Sequence, residues 1–158
     1  MKRNIVRTTL VTVFAVTLLA TLAATTKAED TACSLYGVAG KYAFSDSGTV
    51  FGVGPRVAIG IFTLDTSGKI LNGRATASLN GTISDEAFTG TYTVNANCTG
   101  TFGIDIRDLS GELVLTVTGD FAWDDNMREL RFIFRTATLP NGSSLVTGIN
   151  GNARKMGQ

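Results

Sequence analysis

The chain has 158 residues, with 14 basic and 13 acidic side chains and no histidine. The absence of histidine excludes Ser-His-Asp and Cys-His nucleophilic sites and most zinc sites. Beyond Ala28 the chain has 10 basic and 13 acidic residues, a net charge of −3 that matches neither nucleic acid nor an anionic membrane surface as a partner.

The first 28 residues have the organisation of a secretory signal peptide. Lys2, Arg3 and Arg7 precede an apolar run over residues 10–24, and a small-x-small cleavage site ends at Ala28. The alternative is a retained membrane anchor, but the run is interrupted by threonines and is shorter than the roughly 20 apolar residues of a spanning helix. We therefore expect cleavage of residues 1–28 after Ala28, a secreted or periplasmic protein, and no membrane association after cleavage.

The chain has two cysteines, Cys33 and Cys98. In an exported protein they are expected to form one disulfide, which would tie an N-terminal segment, residues 29–40, to the main domain, residues 41–158. A redox or metal-binding pair is the alternative, but the chain has no CxxC spacing and no histidine to complete a metal site. We expect no metal and no cofactor.

From Lys41 onward, apolar side chains recur at every second position, which is the period of a β-strand with one buried face. The pattern predicts eight strands, at residues 41–47, 56–64, 69–79, 88–95, 101–107, 112–121, 129–138 and 145–153. Residues 48–55 are predicted to be a glycine-rich loop. The run 56–64 is nearly all apolar and predicts a strand covered on both faces.

Asn80-Gly81 is the clearest turn in the sequence. Both residues tolerate the positive φ angles of a two-residue type I′ hairpin. After the turn, Phe88, Gly90 and Tyr92 alternate with threonines, as in a strand with one apolar and one polar face. The stretch is therefore typical of an antiparallel β-protein.

The short turns favour an up-and-down order, because strands that follow each other in sequence usually pair. Most predicted strands contain an internal glycine, which is normally disfavoured there. Close approach of a ligand is one explanation, and the bending that a closing barrel requires is the other, favoured one. The prediction is an all-β fold, an eight-stranded antiparallel up-and-down β-barrel, with a two-sheet β-sandwich as the alternative.

Four segments together resemble a known group of proteins: residues 40–48 (GKYAFSDSG), 58–73 (AIGIFTLDTSGKILNG), 79–83 (LNGTI) and 88–101 (FTGTYTVNANCTGT). They are similar to uncharacterised secreted bacterial proteins that look like relatives of allene oxide cyclase, whose fold is a calycin-like eight-stranded barrel. The resemblance implies the barrel fold and, from the wider class, cyclisation or rearrangement of an apolar substrate inside it. No catalytic residue of that class maps onto this chain, so the catalytic residues are unknown.

Aromatic side chains on the apolar strand faces are the candidate ligand-binding residues. An eight-stranded barrel is just wide enough to be filled by side chains or to hold one small ligand, so ordinary core packing is the alternative. In such a pocket the two tyrosine hydroxyls would be polar handles. The candidates are Tyr42, Phe44, Phe88, Tyr92, Phe102, Phe132 and Phe134.

Arg135 completes the predicted ligand-binding set. Like Arg131 on the same strand face, it is interpreted first as an exterior charge that pairs with a surface carboxylate at little energetic gain. The second interpretation places one arginine inside the barrel or at its mouth, where it would bind a carboxylate.

Three functional hypotheses follow from these patterns. The first is a non-enzymatic exported domain that binds a small apolar ligand. The second is an isomerase or cyclase in the same pocket, which requires a buried acidic or tyrosyl group beside the cavity. The third is a structural or surface-interaction module with a filled core and an exposed apolar patch. The sequence predicts no oligomeric state.

Overall fold

The computed structural model describes residues 32–157. This range does not include the predicted signal peptide or its cleavage site after Ala28. Within it, no helix is long and apolar enough to cross a membrane.

The described part of the chain is built almost entirely from strands. One four-residue helix, α1, precedes them. The elements are α1 (Leu35–Val38), β1 (Gly40–Val50), β2 (Gly54–Leu64), β3 (Lys69–Leu79), β4 (Thr82–Tyr92), β5 (Thr99–Arg107), β6 (Leu113–Trp123), β7 (Glu129–Thr138), β8 (Ser144–Leu145) and β9 (Thr147–Lys155).

Eight long strands close into a barrel. Strands β1 to β7 pair antiparallel in sequence order, β9 pairs with both β7 and β1, and the two-residue β8 adds to β7. The closed antiparallel up-and-down barrel is confirmed, and the sandwich alternative is wrong. Closure leaves no free edge among the eight long strands, which protects the barrel against edge-to-edge association.

The predicted glycine-rich loop at residues 48–55 is wrong. Pairing continues up to Val50 opposite Gly54, so only residues 51–53 connect β1 to β2. Position 48 favours glycine for a packing reason. Gly48 packs against the backbone of β9, where a side chain would collide. The Asn80-Gly81 prediction is confirmed: Asn80 has φ 50° and Gly81 φ 86°, and the turn joins β3 directly to β4.

The strand at 56–64 is not covered on both faces. In a single closed sheet each strand has one interior face, so the alternate side chains of β2 face outward. Val57 is 53% exposed and Ile59 66% exposed, whereas Phe62 and Leu64 are buried. The prediction from the unbroken apolar run was therefore wrong, because only one face of this strand is buried.

The barrel has two different ends. At the helix end, α1 and the β2–β3, β4–β5 and β6–β7 connections lie together, and the predicted disulfide between Cys33 and Cys98 is confirmed with Cα atoms 5.0 Å apart. The Asn80 end, opposite, carries the β1–β2, β3–β4, β5–β6 and β7–β9 connections. Because the disulfide spans 65 residues, it should stabilise the fold by about 4 kcal/mol in the chain-entropy account.

Candidate functional site

A cavity of about 50 Å³ lies inside the barrel. By volume this is room for roughly one or two water molecules. Its wall is mainly aromatic and aliphatic, with three charged side chains. The lining residues are Phe44, Asp46, Arg56, Phe62, Ile70, Ala75, Glu86, Phe88, Phe102, Ile104, Ile106, Phe121, Phe132 and Phe134.

Four of the lining phenylalanines are each seated over a glycine of the neighbouring strand. The strand register places each ring directly opposite its glycine, and a Cβ atom on the glycine would collide with the ring. The strand glycines thus provide space for aromatic rings, which is a third explanation beside barrel bending and ligand approach. The pairs are Phe44 with Gly60, Phe88 with Gly73, Phe102 with Gly119, and Phe132 with Gly151.

These four rings form one connected arc across the interior. The Phe44 ring meets that of Phe88 edge-on at 5.9 Å between centroids and that of Phe132 at 6.3 Å. Phe132 in turn meets Phe102 at 6.3 Å. Such edge-to-face contacts are favourable beyond the area they bury. The arc fixes an apolar wall while leaving the cavity at its centre.

An ionic cluster lies on the cavity wall, on the side nearer the Asn80 end. It consists of Asp46 from β1, Arg56 from β2 and Glu86 from β4. The two terminal nitrogens of Arg56 donate to the two carboxylate oxygens of Glu86, both at 3.2 Å. Arg56 Nε lies 3.5 Å from Asp46 Oδ1, an ion-pair contact without hydrogen-bond geometry. One guanidinium therefore serves two carboxylates.

The Asp46 carboxyl is the most buried member of this cluster. Its side chain is 2% exposed. Burial in the apolar wall raises the pKa of Asp46 to about 6, and the negative charge of Glu86 adds to this while Arg56 opposes it. Asp46 therefore changes its protonation state near neutral pH, as a general acid or base must.

Two polar atoms of the cluster lack a hydrogen-bond partner within residues 32–157. They are Asp46 Oδ1 and Arg56 Nε, and both are buried. Buried polar groups in native proteins are nearly always hydrogen-bonded, because an unpaired one costs about 1–3 kcal/mol. The cluster is thus under-satisfied at the contact between Asp46 and Arg56, where these two atoms face each other at 3.5 Å.

The structure brings five of the predicted ligand-binding residues to the cavity wall and leaves three away from it. Those on the wall are Phe44, Phe88, Phe102, Phe132 and Phe134.

Tyr42 and Tyr92 do not contact the cavity, so their assignment as polar handles is corrected. The Tyr42 hydroxyl donates to the carbonyl of Val38 at 2.7 Å, and the Tyr92 hydroxyl donates to the carbonyl of Asp65 at 2.6 Å. Burial raises the pKa of both tyrosines, that of Tyr92 to about 12. Both hydroxyls therefore lie at the helix end of the barrel, where they donate hydrogen bonds to backbone carbonyls.

Arg135 lies on the outside of the barrel, which corrects its assignment to the ligand site. Its side chain is 67% exposed and pairs with Asp120 at 2.6 Å. It alternates with the inward-facing Phe134, so a strand with that neighbour inside must place Arg135 outside. Among residues 32–157, the arginine buried in the interior is Arg56.

Sequence reasoning missed Arg56, Asp46 and Glu86, although the required signal is present. Period-two alternation places Asp46 on the same face as Tyr42 and Phe44, and Glu86 on the same face as Phe88. The predicted strands end one residue after Asp46, begin at Arg56 and begin two residues after Glu86, so the three positions lie at or beyond strand ends. Continuing the alternation through each charged residue would have placed all three on interior strand faces.

Within the described residues, no group of three or more His, Cys, Asp or Glu side chains is arranged to hold a metal ion. The ionic cluster itself contains two carboxylates, and Arg56 lies between them.

No protein-family model matches the chain, and no curated protein matches it either. Among solved structures, EF1p2_mFAP2b bound to DFHBI aligns with a TM-score of 0.55 and 11% identity, covering 78% of this chain and 97% of that one. The redesigned beta barrel mFAP1 bound to DFHBI aligns with a TM-score of 0.50 and 12% identity, covering 77% and 98%. At these identities the likeness shows the β-barrel fold alone.

Proposed function

We propose that this barrel binds one small, predominantly apolar molecule in its interior. The observation that carries the proposal is an aromatic cavity wall interrupted by a buried, under-satisfied ionic cluster. Ligand sites in proteins have this composition: mostly hydrophobic and aromatic lining with a few polar groups that fix orientation.

Stability alone gives no reason for the cluster. Removing Asp46, Arg56 and Glu86 from water costs several kcal/mol per ion, and their attraction recovers this only with full hydrogen bonding. Here Asp46 Oδ1 and Arg56 Nε make an ion-pair contact with each other, but neither has a hydrogen-bond partner among the described residues. An apolar core at these three positions would be at least as stable, so the cluster is better explained by an interaction with a ligand.

The size of the cavity restricts the ligand. An enclosed apolar cavity that binds benzene has a volume of roughly 150 Å³, three times that of the present one. Binding of a ring therefore requires side chains to move, and Phe44 and Phe132 are the half-buried members of the aromatic arc. Two barrels of the same architecture were solved bound to the small dye DFHBI, which supports the capacity of this fold to hold a ligand.

A titration with toluene, followed by 1H–15N NMR, tests the proposal. We expect saturable one-to-one binding, with shifts that centre on Phe44, Glu86 and Phe132. Ala75→Met fills the cavity and should weaken binding at least about tenfold. Thr76→Met places the same side chain on the outer face of β3 and is the matched control.

The proposal is wrong if toluene shows no saturable shift, or if Ala75→Met retains a native spectrum and binds toluene as the wild type does. Either result would favour the third hypothesis, a surface module whose apolar contacts lie outside the barrel.

The second candidate function is an isomerase or cyclase of the allene oxide cyclase-like type, which the sequence resemblance implies. The observation that favours it is Asp46, a buried acid beside the cavity with its pKa raised to about 6. In this role protonated Asp46 would donate its proton to an unsaturated substrate and take one back from the cyclised cation, so that product and substrate have the same composition.

Citronellal, which cyclises under acid catalysis to an isomer of equal mass, is a suitable probe for this chemistry. The cyclase proposal predicts turnover that falls at least about a hundredfold in Asp46→Asn, within the range of general acid–base catalysis. Turnover that is equal in both proteins, or absent in both while toluene still binds, would leave a binding protein without this chemistry.

We also propose that the protein acts in an oxidising, secreted or periplasmic compartment, with residues 29–40 and the domain 41–158 forming the mature chain. The disulfide between Cys33 and Cys98 supports this location, because disulfides persist in such compartments. The intact mass of the exported protein should correspond to a start at Glu29 and to two hydrogens fewer than the reduced chain. A mass that includes residues 1–28 would contradict the cleavage.

A further inference from the structure

The hydrogen bonding within the ionic cluster is unequal. Glu86 takes both terminal nitrogens of Arg56 at 3.2 Å, which is a full bidentate pairing. Asp46 has only the 3.5 Å contact with Arg56 Nε, and its Oδ1 accepts no hydrogen bond from residues 32–157. The positive charge of Arg56 is thus matched by Glu86, and Asp46 is the surplus carboxylate.

This surplus gives the cavity a defined electrostatic preference. With both carboxylates ionised, the cluster carries a net charge of −1 inside an otherwise apolar wall. A ligand carboxylate would be a third anion beside Asp46 and Glu86, and its natural partner, Arg56, is already engaged. Like charges in a low-dielectric interior repel strongly. A ligand that donates hydrogen bonds, and above all a cation, complements the site.

The apolar wall points in the same direction. Phe44 is two residues from Asp46 on the interior face of β1, and Phe88 is two residues from Glu86 on that of β4. Aromatic faces attract cations through the ring quadrupole. The aromatic arc and the Asp46 carboxylate, whose Oδ1 lacks a hydrogen-bond donor among residues 32–157, therefore favour a molecule with an apolar body and a positively charged end.

We propose that the ligand of this cavity is a small, largely apolar amine whose ammonium group donates to the carboxylate of Asp46. This inference rests on the proposed function and names its ligand class. It excludes fatty acids and other simple carboxylates as the preferred ligands, although their apolar bodies would suit the wall.

Three probes of nearly equal size separate the possibilities: benzylamine, toluene and benzoate. Each is titrated into the purified protein at neutral pH, with binding followed by 1H–15N NMR. We expect benzylamine to bind at least about tenfold more tightly than toluene, because its ammonium group gives the Asp46 carboxylate a charge-assisted hydrogen bond that it otherwise lacks. Benzoate should bind more weakly than toluene.

Asp46→Asn identifies the group that is responsible. The substitution keeps the shape of the side chain and removes its charge, so the difference between benzylamine and toluene should shrink to about threefold or less. Asp120→Asn removes an exterior carboxylate from its pair with Arg135 and should leave the tenfold preference intact.

The outcomes separate this inference from the proposed function. If toluene and benzylamine bind equally, or if benzoate binds most tightly, the barrel binds small molecules but the amine assignment is wrong. If benzylamine keeps its advantage in Asp46→Asn, the assignment to Asp46 is wrong. If none of the three probes binds, the proposed function fails and the inference fails with it.

Discussion

The two ends of the barrel bury polar groups in opposite ways. At the helix end, the hydroxyl of Tyr42 donates to the carbonyl of Val38, and that of Tyr92 donates to the carbonyl of Asp65. Toward the Asn80 end, Asp46 Oδ1 and Arg56 Nε are buried without hydrogen-bond partners among residues 32–157. Both sets project inward from strands of one sheet, so the difference lies in their partners and not in their burial.

This contrast separates stability from function. A hydrogen-bonded hydroxyl stabilises a fold modestly, and a disulfide beside it stabilises it further, so the helix end has the features of a structural closure. The Trp123 indole nitrogen, also buried there without a partner in the described part of the chain, is the exception. Three charges packed into an apolar wall have no comparable structural value, which is why we place the ligand site there.

Arg56→Met gives the largest expected effect. It leaves Asp46 and Glu86 as two buried carboxylates without their cation, and breaking a buried pair in this way costs about 3–5 kcal/mol of unfolding free energy. Arg135→Met removes an arginine from an exposed pair with Asp120 and should cost less than about 1 kcal/mol. Guanidinium unfolding of both variants measures the difference. Equal losses would mean that burial of the cluster has no energetic consequence.

The disulfide provides the next largest effect. Paired Cys33→Ser and Cys98→Ser substitutions should lower the unfolding free energy by about 4 kcal/mol, because the 65-residue loop regains its freedom in the unfolded chain. Guanidinium unfolding of the double variant and of the wild type measures the difference. A loss of less than about 1 kcal/mol would contradict the chain-entropy account.

Asp46→Asn tests the pH dependence that the site predicts. The folded-state pKa of Asp46, about 6, lies above its ordinary value of 3.8, so the fold favours the protonated form. Its contribution is therefore greatest below pH 4 and is lost as the pH rises through 6, by up to about 3 kcal/mol for a shift of this size. The charged groups that face Asp46 are Arg56 of β2 and Glu86 of β4, and β9 presents Gly151 opposite.

The measurement is the unfolding free energy of wild type minus that of Asp46→Asn at several pH values. This difference should fall between pH 4 and 7. If it stays constant, or rises as it would for an ordinary ion-paired aspartate, the buried state of Asp46 is wrongly assigned.

Tyr42→Phe is the smallest of the four effects. The hydroxyl donates to the carbonyl oxygens of Val38 and Met127, at 2.7 and 3.3 Å, and its loss should cost about 1–2 kcal/mol. Binding of toluene should be unchanged, because Tyr42 does not contact the cavity. Tyr36→Phe, on a tyrosine that is 84% exposed, is the control and should change neither quantity. A loss of toluene binding in Tyr42→Phe would show that Tyr42 contributes to the ligand site.

Much of the fold was predictable because it depends on local chemistry. The predicted ranges 69–79 and 129–138 coincide with β3 and β7, since alternation and turn residues mark both ends of each strand. Export-type sequence features were sufficient to pair Cys33 with Cys98. The turn at Asn80 followed from the positive φ that its two residues tolerate.

The site depends on information that single strands do not carry. Asp46, Arg56 and Glu86 meet only because β1, β2 and β4 have the register and curvature of one closed barrel. The seating of Phe102 over Gly119 likewise requires the pairing of β5 with β6. Alternation could place each residue on the interior face, but only the closed register shows which residues are neighbours.

The most direct test replaces the whole cluster at once. We would measure the unfolding free energy and the benzylamine affinity of the triple variant Asp46→Leu, Arg56→Met, Glu86→Leu. If the cluster serves a ligand, the variant should be as stable as the wild type or more stable by about 1–4 kcal/mol, and the preference for benzylamine over toluene should disappear. A variant that loses several kcal/mol of stability would show that the three charges hold the barrel together, and would contradict a ligand-binding role for the cluster.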